Sequence, residues 1–254
     1  FPGQQRVALN HAGSRGGAGR WETAGRVDNL VITAVMMRQL MSALEVDRRV
    51  NETPRVNGAV PDAQRRIALD ADWNLAFDGT LSGKVRVARR DGDMRIPGDP
   101  PIPLGLQTAA LDIVATPVTK KTSRLDARLN VRTAAMGHLD GKGSAVMVVH
   151  EDGSMALDAS QPIRAQLDAD ISDLAWLSLF LGDAMEIGGT LKANIELQGT
   201  AGGDWRTRGT MRGEHIRVIR IDDGVRLVDG TLAARFDNDS LILESLRFPA
   251  SLRV

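Results

Sequence analysis

The stretch IALDADWNLAFDGTLSGKVRVA, residues 67–88, decides the fold. Ile67, Leu69, Ala71, Trp73, Leu75 and Phe77 take the odd positions, while Asp70, Asp72, Asn74 and Asp78 take even ones. After a Gly-containing break the odd set resumes with Leu81, Val85 and Val87, against Ser82, Lys84 and Arg86. Successive side chains of a strand point to opposite faces, so the segment builds one apolar face and one polar face. What the apolar face meets, a second layer of protein or something that is not protein, is the functional question.

The alternation recurs along the chain. Leu125, Ala127, Leu129 and Val131 oppose Arg124, Asp126, Arg128 and Asn130, and Ala145, Met147 and Val149 follow. Ile163, Ala165, Leu167, Ala169 and Ile171 are separated by Arg164, Gln166, Asp168 and Asp170. Ile187, Leu191, Ala193, Ile195 and Leu197 come next, and then Leu232, Ala234 and Phe236. Between these runs lie RRDGD (89–93), HEDGS (150–154), TAGGD (200–204), IDDG (221–224) and DNDS (237–240). Their Gly, Asp and Asn residues accept the backbone angles of tight turns, so an antiparallel meander is expected. Gly-Thr-Leu occurs at 79–81, 189–191 and 230–232, with Gly209-Thr210-Met211 between the last two. The spacing of the last three reads as two strands plus turns, and implies a sheet that grows hairpin by hairpin.

Two stretches break the strand pattern. Met37, Leu40, Met41 and Leu44 follow helical spacing and predict a short helix over 34–44. Ser172 or Asp173 is placed to cap a second short helix over 173–181, presenting Leu174, Leu177 and Leu181 before Gly182. Both are expected to cover the apolar face or a sheet end, with Met37 and Met41 open to a second use as an adaptable ligand surface. PGDPPIPLG (97–105) cannot form a central strand, because Pro lacks the donor that a sheet ladder requires, and reads as an edge crossing or linker.

Composition excludes several classes. The 254 residues suffice for one large β domain or two ordinary ones. Lys plus Arg, 32, equals Asp plus Glu, 32, so net charge makes no case for a nucleic-acid partner. Cysteine is absent, which removes disulfides and thiolate metal sites. No run of apolar residues is long enough to span a membrane as a helix, and 4% aromatics without Tyr argue against a lipid-embedded barrel with aromatic girdles. The start at Phe1 and the strand-like end at SLRV lead us to expect a fragment of a longer chain.

Catalytic signatures are missing. His11, His138, His150 and His215 are scattered without metal-ligand spacing. GSRGGAGR (13–20) is Gly-rich and basic but lacks a dinucleotide fingerprint. GHLDGKG (137–143) lacks the first P-loop glycine at Met136 and has no hydroxyl residue after Lys142. No nucleophile-elbow motif occurs, and the carboxylates of the alternating runs belong to the polar face. The expectation is a non-enzyme with no cofactor and no metal.

The segment DLAWLSLFLGDAMEIGGTLKANIELQGTAGGDWRTRGTMRGEHIRV, followed by GVRLVDGTLAARFDNDSLILESLRF, resembles the TamB family of Gram-negative envelope proteins, relatives of the AsmA-like group. The likeness lies in the order of a D-L-x-W-L mini-helix (Asp173, Leu174, Trp176, Leu177), then G-T-L and a strand, and a Gly199-Thr200 turn. An R-G-x-x-R-G strand (Arg208, Gly209, Arg212, Gly213) and a D-G-x-L hairpin (Asp229, Gly230, Leu232) complete it. It covers roughly residues 65–254, so we divide the chain into a segment 1–64 with the Met-rich helix and a TamB-like repetitive segment 65–254.

The resemblance implies an all-β, elongated, curved antiparallel sheet folded into an open trough, apolar inside and polar outside, with the two short helices. It implies a periplasmic location, an inner-membrane tether in the full-length protein, phospholipid transport toward the outer membrane, and outer-membrane protein assembly with a TamA-like barrel. Phospholipid acyl chains would contact Leu69, Trp73, Leu75, Phe77, Val85 and Val87 in the opening stretch. They would continue over Leu125, Leu129, Val131, Ile163, Leu167 and Ile171, and then Ile187, Leu191, Ile195, Leu197, Leu232 and Phe236. Two other readings remain: a surface that accepts strands of outer-membrane proteins by β-augmentation, and an ordinary β-sandwich binding module.

Overall fold

The structure, a computed structural model, describes residues 8–15, 20–33, 66–96, 102–150, 154–177, 185–203, 205–220, 224–238 and 240–249. The chain opens with β1 (Ala8–Arg15) and β2 (Trp21–Thr33), and continues with β3 (Arg66–Phe77) and β4 (Leu81–Asp93). β5 (Arg95–Ile96) and β6 (Ile102–Pro103) pair only with each other. β7 (Leu106–Pro117), β8 (Thr122–Thr133) and β9 (His138–Val149) follow, then β10 (Met155–Leu157) and β11 (Ile163–Ile171). The last four are β12 (Met185–Gly199), β13 (Arg206–Arg220), β14 (Val225–Asn238) and β15 (Ser240–Arg247).

Among the described residues thirteen strands form one antiparallel sheet, in the order β1-β2-β3-β4-β7-β8-β9-β11-β12-β13-β14-β15, with β10 beside the end of β9. The meander is therefore real, and every pairing in it is antiparallel. The sheet is open, since β1 and β15 are its two edges and do not pair. The Pro-rich 97–105 region stays out of the large sheet as expected, but the ladder runs past it by pairing β4 with β7. Asp93 ties this crossover down. Its Oδ1 accepts from the backbone N–H of Met94 (2.8 Å) and Leu106 (3.1 Å), and its Oδ2 from that of Gly105 (2.9 Å).

Several expectations are corrected. Of the predicted helix over 173–181 the described part is a 3-10 turn, Leu174–Leu177, entered through an Asp173 carboxylate that accepts from the N–H of Ala175 (2.9 Å). Four residues bury their hydrophobic side against the sheet without closing an α-helix; 178–184 lie outside the described residues, as does the expected helix over 34–44. RRDGD is not a turn. It ends β4, with the ladder of β3 slipping between Arg89 and Asp91 as a bulge absorbs one residue. The Gly-Thr-Leu copies are not one repeated unit either: Gly79 lies in the β3–β4 turn, whereas Gly189, Gly209 and Gly230 lie inside β12, β13 and β14. Each step of that repeat advances the sheet by one strand, because these strands are longer than the spacing argument assumed.

A trough with an apolar interior is not shown by the described sheet, and the second sheet among the described residues is only the two-stranded β5–β6 pair. A cavity of about 1100 Å³ opens instead on the polar side. Long cationic side chains of the polar face, Arg86, Arg124, Arg128, Arg164, Arg206 and Arg208, wall it in.

Glycine position discriminates this ladder from a looser one. Gly209 has φ 145°, and a Cβ there would run into the backbone carbonyl of Asn194 on the neighbouring strand. Gly143 on the same face would meet nothing closer than 3.5 Å. Thermal melts should show Gly209→Ala destabilised by about 1–3 kcal/mol and Gly143→Ala within about 0.5 kcal/mol of the parent.

Candidate functional site

Register puts the apolar positions of successive strands side by side. Trp73 lies opposite Val85, Val85 opposite Ile113, and Ile113 opposite Ala127. One row further along, Leu111, Leu129, Gly141 and Leu167 follow one another across β7, β8, β9 and β11. The row continues through Ile195 and Gly209 to Phe236 and Leu241 at the edge. All the residues expected to form the groove fall on this one face. Leu69, Leu75 and Phe77 share it on β3, Val87 on β4, and Leu125 and Val131 on β8. Ile163 and Ile171 hold it on β11, Ile187, Leu191 and Leu197 on β12, and Leu232 on β14.

Burial distinguishes this face from a core. Of the eighteen residues, Ile171 alone is buried, at 8% exposure, and the other seventeen are half-buried. Lateral contact with cross-strand neighbours covers the flanks of a side chain, but only a second layer covers its tip. Such covering is concentrated at one end of the strands. There Ile67, Met94 and Leu106 pack with Leu69, Leu104, Ala109 and Val131. At the same end of the later strands, Ile171, Leu174 and Ile216 pack with Trp176, Ile187, Leu191 and Leu232. Toward the other strand ends the face is also covered locally, at Ala115, Ser123 and Val149, and between the two ends it stays half-buried.

Glycines interleave the large side chains. Gly83 stands opposite Leu75, Gly141 between Leu129 and Leu167, and Gly209 between Ile195 and Phe236. The Trp73 indole lies over Gly25 on β2, its Nε1 donates to Thr23 Oγ1 (3.1 Å), and the His11 ring stacks on it with centroids 6.2 Å apart. A side chain at Gly25 would displace that indole. The face is thus relieved by notches rather than evenly filled.

No family model, curated protein or solved structure matches the chain. Its reading rests on the chemistry of its two faces.

The apolar face is wider than alternation alone indicated. β7 brings Leu111 and Ile113 to it, β13 brings Met211, and β15 brings Leu241, Leu243 and Leu246, which are 50–56% exposed. β7 carries Val114 on the polar side as well, so its sequence does not alternate cleanly, and β13 reads as polar until Gly209 and Met211 are aligned with their partners. Among the described residues no group of three His, Cys, Asp or Glu side chains is placed to hold a metal ion, and no helix is long and apolar enough to cross a membrane.

The polar face is laced by exposed ion pairs. Around the β2 bulge, Arg26 pairs with Asp28 (2.6 Å) and Asp70 (3.6 Å), and Arg90 with Asp70 (3.3 Å) and Asp28 (3.6 Å). The Asn29 N–H donates to Asp70 Oδ1 (3.0 Å) from a residue with φ 63°. That bond, and then Arg90 and Arg26, hold the Asp70 carboxyl below the ordinary carboxylate range. A pKa lowered on folding contributes stability above the unfolded value, about 3.9, and loses it as pH falls through the folded value. Asp70→Asn should therefore melt below the parent at pH 6, with the gap closing as melts are taken toward pH 3.

Proposed function

We propose that the chain is a non-enzymatic segment of a TamB-like envelope protein whose apolar sheet face carries phospholipid acyl chains between inner and outer membranes. One observation supports this most: an apolar face continuous from β3 to β14 on which seventeen of eighteen candidate contact residues remain half-buried. At about 25 cal/mol per Å² of apolar surface removed from water, acyl chains lying along such a face gain affinity from area alone. Polar groups that would select a head group are sparse on it, so chain length should govern binding more than head-group identity. In this reading the protein acts in the periplasm, is tethered to the inner membrane elsewhere in the full-length chain, and works with a TamA-like barrel.

The edge supports a second reading. β15 pairs with β14 alone among the described strands, and its exposed Leu241, Leu243 and Leu246 flank a free backbone ladder. That is the arrangement by which a strand of an unfolded outer-membrane protein would add to the sheet.

Single replacements Leu75→Arg, Leu129→Arg and Ile195→Arg test the first reading. On an accessible face the Arg stem lies along the sheet and lifts its guanidinium to water, so all three should fold, with melting temperatures only a few degrees lower. Each should bind a fluorescent fatty acid at least tenfold more weakly. Asp72→Asn on the opposite face should change neither property. Unfolding of all three would show a closed core, where an unpaired charge costs several kcal/mol. Parental binding by folded variants would equally contradict the proposal.

A further inference from the structure

The cavity of about 1100 Å³ lies on the face opposite the proposed acyl-chain surface and is walled by polar-face side chains from β4 to β13. Two of its cations are neutralised, Arg86 by Asp112 (2.7 Å) and Arg124 by Asp126 (2.9 Å). Five others, Arg128, Lys142, Arg164, Arg206 and Arg208, have no ion-pair partner among the described residues. Against them stands one unpaired lining carboxylate, Glu196, in register opposite Arg208. The chain as a whole is neutral, so this excess is local.

The placement disfavours folding. Arg128 and Lys142 are direct cross-strand partners on β8 and β9, and like charges facing one another destabilise a sheet. Arg164 stands on β11, one strand beyond Lys142, with Ser144 as its own partner on β9. Across β12, where Gln198 intervenes, Arg206 and Arg208 rise from β13. With strands roughly 4.8 Å apart, the cations of β8, β9 and β11 lie about 10–20 Å from those of β13 across the sheet. Gly143, Ala165 and Leu197, whose positions in register belong to the opposite face, also line the cleft and form its floor.

We propose that this cleft binds a soluble ligand carrying several phosphate groups. Four of the five free cations are arginines, whose planar fork grips tetrahedral oxyanions through paired N–H donors. The separation of the two cation groups demands more than one anionic group on the ligand. Lipid head groups offer the same phosphate chemistry, but a flat bilayer would touch the rim of a concave site and leave the floor empty.

Calorimetric titration of the whole chain with inositol hexakisphosphate, against orthophosphate, tests the assignment, with phosphatidylglycerol vesicles sedimented in parallel. We expect one saturable site for the hexakisphosphate, at least tenfold tighter than for orthophosphate and weakened by salt. The triple variant Arg164→Gln/Arg206→Gln/Arg208→Gln should lose at least tenfold in affinity, whereas Arg226→Gln, outside the cleft, should lose none. Should the triple variant fail to fold, Lys142→Gln and Arg164→Gln separately should each weaken binding about threefold. Absence of saturable binding, undiminished affinity in a folded triple variant, or vesicle binding through these arginines without hexakisphosphate binding would overturn the proposal.

Discussion

Unslipped backbone pairing between antiparallel neighbours is the constraint on which the rest of the structure depends. A slip of one residue would send every apolar side chain of a strand to the opposite face. From β8 through β9 and β11 to β12 the ladders run without a shift. Leu129, Leu167 and Ile195 therefore stay on one side and Arg128, Asp168 and Asn194 on the other. Irregularities fall toward one end of the strands, as at Val27/Leu30 in β2, Ala68/Leu69 in the β3–β4 ladder and Gly188/Thr190 in β12. That is also the end where Met94, Met136 and Leu174 are buried.

A sheet of this kind is stabilised laterally. Cross-strand pairs are its unit of stability, and the alternation of glycine with large side chains lets Trp73 and Leu129 lean into the notches at Gly25 and Gly141. The largest fully buried side chain among the described residues is only that of Ser123. The two faces consequently remain surfaces, one apolar and one charged, separated by a single backbone thickness. Their independence would let the proposed acyl-chain surface and the proposed anion cleft coexist in one sheet.

Much of this was legible in the sequence. Residues 67–88 alternate cleanly because β3 and β4 each have one apolar neighbour face and one wet face, and periodicity of two reports that directly. β13 was opaque: with Arg206, Arg208, Arg212 and Arg217 it reads as solvent-exposed, and its place on the apolar face comes from Gly209, whose missing side chain carries no hydropathy signal. RRDGD has the composition of a turn, yet in β4 the same residues form a bulge, since Gly92 at φ 85° serves either structure. The helical periodicity after Ser172 marks the apolar contacts of Leu174 and Leu177 correctly, and among the described residues a four-residue 3-10 turn makes them. Net charge concealed the cleft, because Arg128 and Lys142, 14 residues apart in the chain, become neighbours only through the β8–β9 pairing.

The central claim is that the apolar face is a water-accessible surface. Carbene footprinting of the native chain, read residue by residue by mass spectrometry, measures it directly. The account predicts that Leu129, Leu167 and Ile195 are labelled substantially, at levels between those of exposed Leu241 and buried Leu106, and that added fatty acid protects them. Labelling as low as that of Leu106 without any lipid would place these side chains in a closed core and contradict the account.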